Sequence, residues 1–185
     1  LPRRETQRPD PRSPYAVSKL ATEYYVHTMG ELHGIETVVL RYFNVFGPRQ
    51  PAGHAYAAVV PTFIDAALAG RPLTVDGDGR QSRDFTYVDT VAAVIADAVA
   101  RRVTDPDPVN LAFGTRTDLL TLIELLEGVI GHPVERQHRP PRTGDVRHSQ
   151  ADSTRLRALF PDVVAVPLED GLTATVEWMR DVTRA

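Results

Sequence analysis

The sequence predicts an α/β fold built on a parallel sheet, and three observations carry that expectation. Residues 37–43, Thr-Val-Val-Leu-Arg-Tyr-Phe, form an apolar run without alternation, the pattern of a parallel strand covered on both faces. The run breaks abruptly at Asn44 into a loop through Pro51, and open α/β sheets bind ligands just past such strand ends. Helical segments with start and stop signals then alternate with short strand-like ones.

The elements follow in order. The first dozen residues are rich in Pro and Arg and read as an exposed loop. Ser13-Pro14 supplies an N-cap and a proline at the first helical position, so a helix is expected to Leu32, ended by Gly34. Its apolar stripe is Val17, Leu20, Ala21, Tyr24 and Thr28. The side carrying Tyr15 and Lys19 continues into Thr22, Val26 and Met29 rather than into charges, so the helix is expected to be sandwiched between a sheet and a partner's helix. A helix at 58–69, ended by Gly70, precedes a strand at 73–75 and the turn Asp76-Gly77-Asp78-Gly79. A strand at 83–88 leads to a helix at 89–101 capped by Asp89. Strand 110–113, helix 119–130, an edge strand at 134–138 and helices at 154–160 and 168–182 complete the chain.

Composition excludes several functions. With 42% hydrophobic and 24% charged residues the chain has a globular balance, and its net charge of −3 gives no attraction for nucleic acid or an anionic membrane. The basic stretch 136–142 is interrupted by prolines and reads as a loop. Absence of cysteine removes disulfides and thiolate zinc sites, and suits a cytoplasmic setting. No stretch has the length of a membrane span, and the start at Leu1, without Met or a signal-peptide pattern, is expected of a fragment or processed chain. The six histidines form no metal-ligand spacing. Asp76–Gly79 lacks the closing glutamate of a calcium loop, and no Gly-x-Ser-x-Gly elbow is present.

One pair of residues points to chemistry. Lys19 is the only lysine among 21 basic side chains, and it stands four residues after Tyr15. On a helix the two share a face. An ammonium stabilises a phenolate, which brings a tyrosine toward a pKa useful for proton transfer. A lone Tyr-x-x-x-Lys also arises by chance in ordinary helices.

Further motifs occur in order: Arg41-Tyr42-Phe43-Asn44-Val45-Phe46-Gly47-Pro48-Arg49-Gln50, Gly77-Asp78-Gly79 followed by Arg83-Asp84-Phe85, Gly144-Asp145-Val146-Arg147-His148-Ser149, and a closing Gly171-Leu172 with Val176 and Trp178. With Tyr15 and Lys19, these make the chain resemble the extended short-chain dehydrogenase/reductase family of nucleotide-sugar enzymes, closest to its 4-epimerases for UDP-glucose and UDP-N-acetylglucosamine. The resemblance spans essentially all 185 residues. It implies the C-terminal part of a Rossmann-like parallel sheet with helices, plus a small mixed α/β substrate-binding lobe. Residues 1–44 would be a remnant of the dinucleotide-binding domain and 45–185 mainly substrate-binding, with 84–113 returning to the Rossmann sheet. The family's Gly-rich dinucleotide loop has no counterpart among the 12 glycines; Gly77-x-Gly79 comes nearest, but Ser82 stands where a third would be needed. The 185 residues alone are therefore expected to lack NAD-dependent turnover.

For the intact enzyme, the resemblance implies NAD as cofactor and C4 epimerisation of a nucleotide-sugar, UDP-linked, through a 4-keto intermediate. Tyr15 would be the catalytic acid–base and Lys19 its partner, both also contacting NAD, with Tyr42 near the nicotinamide. Asn44 would bind the sugar–diphosphate, Arg83 and Arg142 grip the diphosphate, Asp145 accept from nucleotide hydroxyls, and Val59, Val60 and Val75 wall the base pocket. Ser149, small where hexose-restricted enzymes carry tyrosine, would leave room for an N-acetyl group. Homodimerisation through the Tyr15–Lys19 helix is also implied. A 4,6-dehydratase, decarboxylase or reductase of the same family, or a non-catalytic nucleotide-sugar-binding fragment, is the alternative.

Overall fold

The computed structural model describes residues 2–52, 58–142 and 146–184. Helix α1 spans Pro14–His33; Ser13 Oγ accepts from Ala16 N at 3.1 Å, and Gly34, at φ 62°, closes it by donating to Gly30 O. There follow β1 (Leu40–Tyr42), β2 (Val45–Phe46), α2 (Val59–Leu68), β3 (Leu73–Asp76), β4 (Ser82–Arg83), β5 (Thr86–Tyr87) and α3 (Val88–Arg101). The chain continues through β6 (Val109–Leu111), β7 (Thr117–Asp118), α4 (Leu119–Ile130), β8 (Arg136–Arg139), α5 (Thr154–Leu159) and α6 (Leu168–Arg184). Asp118 caps α4, its carboxylate accepting from Thr121 N at 2.8 Å.

The strands pair as four short ladders. β1–β6, β2–β5 and β3–β8 are parallel, and β4–β7 is antiparallel. The mixed α/β class with parallel pairing matches the expectation, but several elements differ. The strand expected over 37–43 ladders only at 40–42, and Tyr42 is exposed. The loop expected from Asn44 to Pro51 contains β2, because Val45 and Phe46 align with Thr86 and Tyr87. The strand expected over 83–88 is broken at Asp84-Phe85. Its first part pairs with β7, its second with β2, and the Asp84 side chain is turned to other backbone amides. Asp89 lies in the first turn of α3; the cap position is Tyr87, with no side-chain cap bond.

Two apolar clusters hold these elements. One gathers α2, β3, α4 and α6 around Ile64, Leu73, Val75, Leu122, Ile123, Leu126, Leu172 and Val176, with Phe46 and Tyr87 at its margin. The other joins α3, β6 and α5 through Val94, Val109, Leu111, Leu156 and Phe160. Each fully buried aliphatic side chain contributes about 1.5–3 kcal/mol of transfer free energy.

Helix α1 does not bury the expected stripe within this chain. Val17, Ala21, Tyr24 and Thr28 of the proposed stripe are exposed, and only Leu20 is half-buried. The face turned inward is Ala16, Leu20, Glu23, His27 and Gly30, a helical spacing that includes a carboxylate. That carboxylate is tied to β1: Arg41 Nη2 and Nε donate to Glu23 Oε1 and Oε2 at 2.6 and 2.8 Å. An ion pair therefore does the docking that an apolar stripe was expected to do.

Candidate functional site

Residues distant in sequence converge on a cleft of about 360 Å³, within the range of small-molecule sites. The end of β1 and β2 contribute Asn44, Val45 and Phe46; α2 and its approach give Ala58, Val59, Val60, Thr62 and Phe63. Thr74 and Asp76 come from β3, Gln81, Arg83 and Phe85 from the β4–β5 region, and Leu119 and Arg142 close it. Two guanidiniums face one carboxylate, so the lining favours an anion.

The backbone explains this convergence. Strand β3 alternates, burying Leu73 and Val75 in the core and leaving Thr74 and Asp76 half-buried. Asn44 holds a positive φ of 30° at the exit of β1, and its Nδ2 donates to Asp84 O at 3.2 Å. Arg83 Nη1 donates to Ser82 O at 2.9 Å and Val146 O at 2.7 Å, which fixes one edge of the guanidinium. Gly79, at φ 75°, turns the chain under Leu120, whose Cδ2 would stand 2.7 Å from a Cβ there.

Asp84, behind Arg83, is fully buried. Its Oδ1 accepts from Thr115 N at 3.2 Å and Thr115 Oγ1 at 2.8 Å; Oδ2 accepts from Gly114 N and Ala151 N, each at 3.1 Å. Burial pushes its pKa up, against four hydrogen bonds that pull it down. Nearby, His148 Nδ1 lies 2.9 Å from Ser82 Oγ. Burial, then the charges of Arg116 and Arg147, lower its pKa.

Tyr15 and Lys19 are brought together, with Nζ 5.4 Å from the tyrosine ring centre, on the exposed side of α1. They and Tyr42 lie outside the cleft lining, whereas Asn44, Val59, Val60, Arg83 and Arg142 are part of it. Val75 is a correction: the strand's alternation turns it into the core, and Thr74 and Asp76 face the cleft in its place. Ser149 is half-buried outside the lining, its N–H bonded to Ser82 O at 3.0 Å. Asp145 lies outside the described residues. Sequence reasoning missed Asp76, Gln81 and Asp84. The polar–apolar alternation of Leu73–Asp76 was a signal for the first; Asp84 stands in the Arg83-Asp84-Phe85 motif, but nothing local gave its side chain a role.

A family model described as "NAD dependent epimerase/dehydratase family" matches residues 1–112. UDP-glucose 4-epimerase of Mycolicibacterium smegmatis is 36% identical over 93% of this chain and 54% of its own length. The structure of UDP-N-acetylglucosamine 4-epimerase from Methanobrevibacter ruminantium, in complex with UDP-N-acetylmuramic acid, superposes with a TM-score of 0.91 at 35% identity, covering 98% of this chain and 58% of that one. UDP-glucuronic acid 4-epimerase from Bacillus cereus, in complex with UDP-glucuronic acid and NAD, gives 0.81 at 30% identity, over 95% and 55%. The chain thus spans little more than half the length of these relatives.

Proposed function

The chain belongs to the NAD-dependent epimerase/dehydratase family, and on that premise we propose that it carries the proton-transfer pair and substrate cleft of a nucleotide-sugar 4-epimerase. The substrate in this reading is a UDP-linked hexose or N-acetylhexosamine, the classes in the names of the UDP-glucose and UDP-N-acetylglucosamine 4-epimerases it resembles. What carries this reading is the gathering of Asn44, Val59, Val60, Arg83 and Arg142 around one cleft of suitable volume.

The phenol and single ammonium on one face of α1 fit a nicotinamide ribose and a sugar hydroxyl, since together they offer a titratable oxygen and a three-donor cation. Tyr15, Lys19 and Tyr42 are the residues that would hold NAD. Bound NAD would supply reversible hydride transfer at C4. Tyr15, as phenolate, takes the proton of the 4-hydroxyl and gives it back after the 4-keto sugar has turned. Lys19 stabilises that phenolate, and Arg83 and Arg142 anchor the diphosphate, bidentate forks suiting phosphate oxygens. In this reading residues 1–44 belong to the dinucleotide-binding part and 45–185 mainly to the substrate part. The exposed Tyr24, Tyr25 and Met29 on α1 supply an apolar surface for a homodimer.

The test is interconversion of UDP-glucose and UDP-galactose by the complete protein. Tyr15→Phe is expected to lower kcat at least ~100-fold, the scale of general acid–base catalysis. Retained turnover in that variant would move proton transfer elsewhere. Loss of water or carbon dioxide from the sugar would identify a dehydratase or decarboxylase instead. For Ser149, the expected result is that Ser149→Tyr selectively suppresses UDP-N-acetylgalactosamine turnover; an unchanged preference removes that role.

A further inference from the structure

Two segments that line the cleft and two that lie outside its lining meet at one buried residue. Asp84 stands between Arg83 and Phe85, both of which line the cleft, yet its own side chain points away and is fully buried. Its carboxylate binds the Gly114-Thr115 loop and Ala151 through four donors. Its carbonyl accepts from the Asn44 side chain. The neighbouring Ser82 backbone is clamped by Arg147 O at 2.8 Å and Ser149 N at 3.0 Å, and Gln150 Nε2 reaches Gly114 O at 2.6 Å. The segments carrying Arg83, Asn44 and Ser149 are therefore all referred to this residue.

We propose that Asp84 is the positioning residue of the cleft, its carboxylate locking the Arg83 guanidinium at the angle at which it receives a diphosphate. This rests on the reading of the cleft as a nucleotide-sugar site. The physical logic is that of a charged hub. A carboxylate with four acceptor directions can bind the amides of two loops at once, which a neutral side chain of the same size cannot. Asn in its place would turn an NH2 toward two of those donors and leave them unpaired. The break between β4 and β5 follows from the same contacts. The backbone gives up two ladder positions so that the carboxylate can reach both loops, and Arg83 emerges at the exit of β4 with two carbonyl partners already set.

A residue that merely stabilised the fold would weaken every variant alike; one that acts through Arg83 does so only while Arg83 is present. The experiment measures UDP binding by calorimetry and KM against kcat for UDP-galactose in the complete protein, for Asp84→Asn, Thr115→Val, Arg83→Leu, and for Asp84→Asn and Thr115→Val each combined with Arg83→Leu. Thr115→Val removes a single hydroxyl donor at an exposed residue, so it serves where Asp84→Asn fails to fold. The expected result is UDP affinity lowered about tenfold by Asp84→Asn and about threefold by Thr115→Val, with the loss in KM rather than kcat. In the Arg83→Leu background either change should add less than about twofold, the mark of coupling through that side chain. Equal losses in both backgrounds, or unchanged affinity in folded Asp84→Asn or Thr115→Val, overturn the proposal and leave the cleft reading standing. A wild-type protein that binds none of UDP, dTDP and GDP overturns both.

Discussion

Glu23 and Arg41 face each other with side chains only 12% and 26% exposed, joined by two parallel hydrogen bonds. This fork sets how α1 lies against β1, and with it where Tyr15 and Lys19 stand. Glu23→Ala would leave a half-buried guanidinium without its carboxylate and should lower unfolding stability by about 2 kcal/mol in urea titrations. Arg41→Lys should recover little of it, since an ammonium cannot make both bonds in one plane. His148 sets a different dependence. Its folded pKa is lowered, so as pH falls past the ordinary histidine range the unfolded chain takes up the proton first and stability drops. The urea midpoint should therefore fall between neutral pH and pH ~5, and His148→Gln should flatten that slope. Carboxylates act lower on the scale. Glu127 is held low chiefly by the Val134 N–H and then by Arg136, so its contribution is present above the ordinary glutamate pKa and lost as pH falls through the folded one. Asp84, with its pKa raised, works in the opposite sense and gives no part of an acid transition.

Among the elements, α6 shows how a single position governs packing. A Cβ on Gly171 would stand 2.8 Å from Tyr87 Cδ2 and 2.9 Å from Phe46 Cζ, and these two rings are themselves packed 5.6 Å apart. Gly171→Ala should cost about 1–3 kcal/mol through overpacking, read as a lowered thermal midpoint, even though alanine favours helix. An unchanged midpoint would mean that α6 shifts freely against β5. The helices were the legible part of the sequence: Ser13-Pro14 and Gly34 mark α1, and the apolar repeat of residues 119–130 matches α4 to the residue. The strands were less legible, because two-residue ladders such as β2 and β7 carry too few side chains for a period to show. In the cleft, Asn44 and Arg83 could be named from motif context and Arg142 from the family resemblance. The alternation of Leu73–Asp76 pairs Asp76 with Thr74, but which face is covered depends on the helices packed there; Asp84 stands in a quoted motif, yet its role depends on loops far away in the chain.

On the scale of the whole molecule, the accessible surface of 11416 Å² exceeds the roughly 8,800 Å² of a compact domain of this mass. Much of the apolar part lies on and beside α1, where Tyr15, Tyr24, Tyr25, Leu32 and Ile35 are more than half exposed. Contiguous exposed apolar side chains of this kind fit a protein neighbour, and no helix among the described residues is long and apolar enough to cross a membrane. Sedimentation of the isolated 185 residues should accordingly show self-association that Tyr25→Glu reduces; a monodisperse monomer would leave α1 without that role. The same helix has a practical consequence. Across 20 arginines and one lysine, the chain offers a single side-chain amine, and it is exposed 5.4 Å from the Tyr15 ring. An amine-selective acylating reagent thus writes on one side chain only. The modified fraction, read by mass, becomes a direct gauge of how far the chemistry of that ring depends on its neighbouring positive charge.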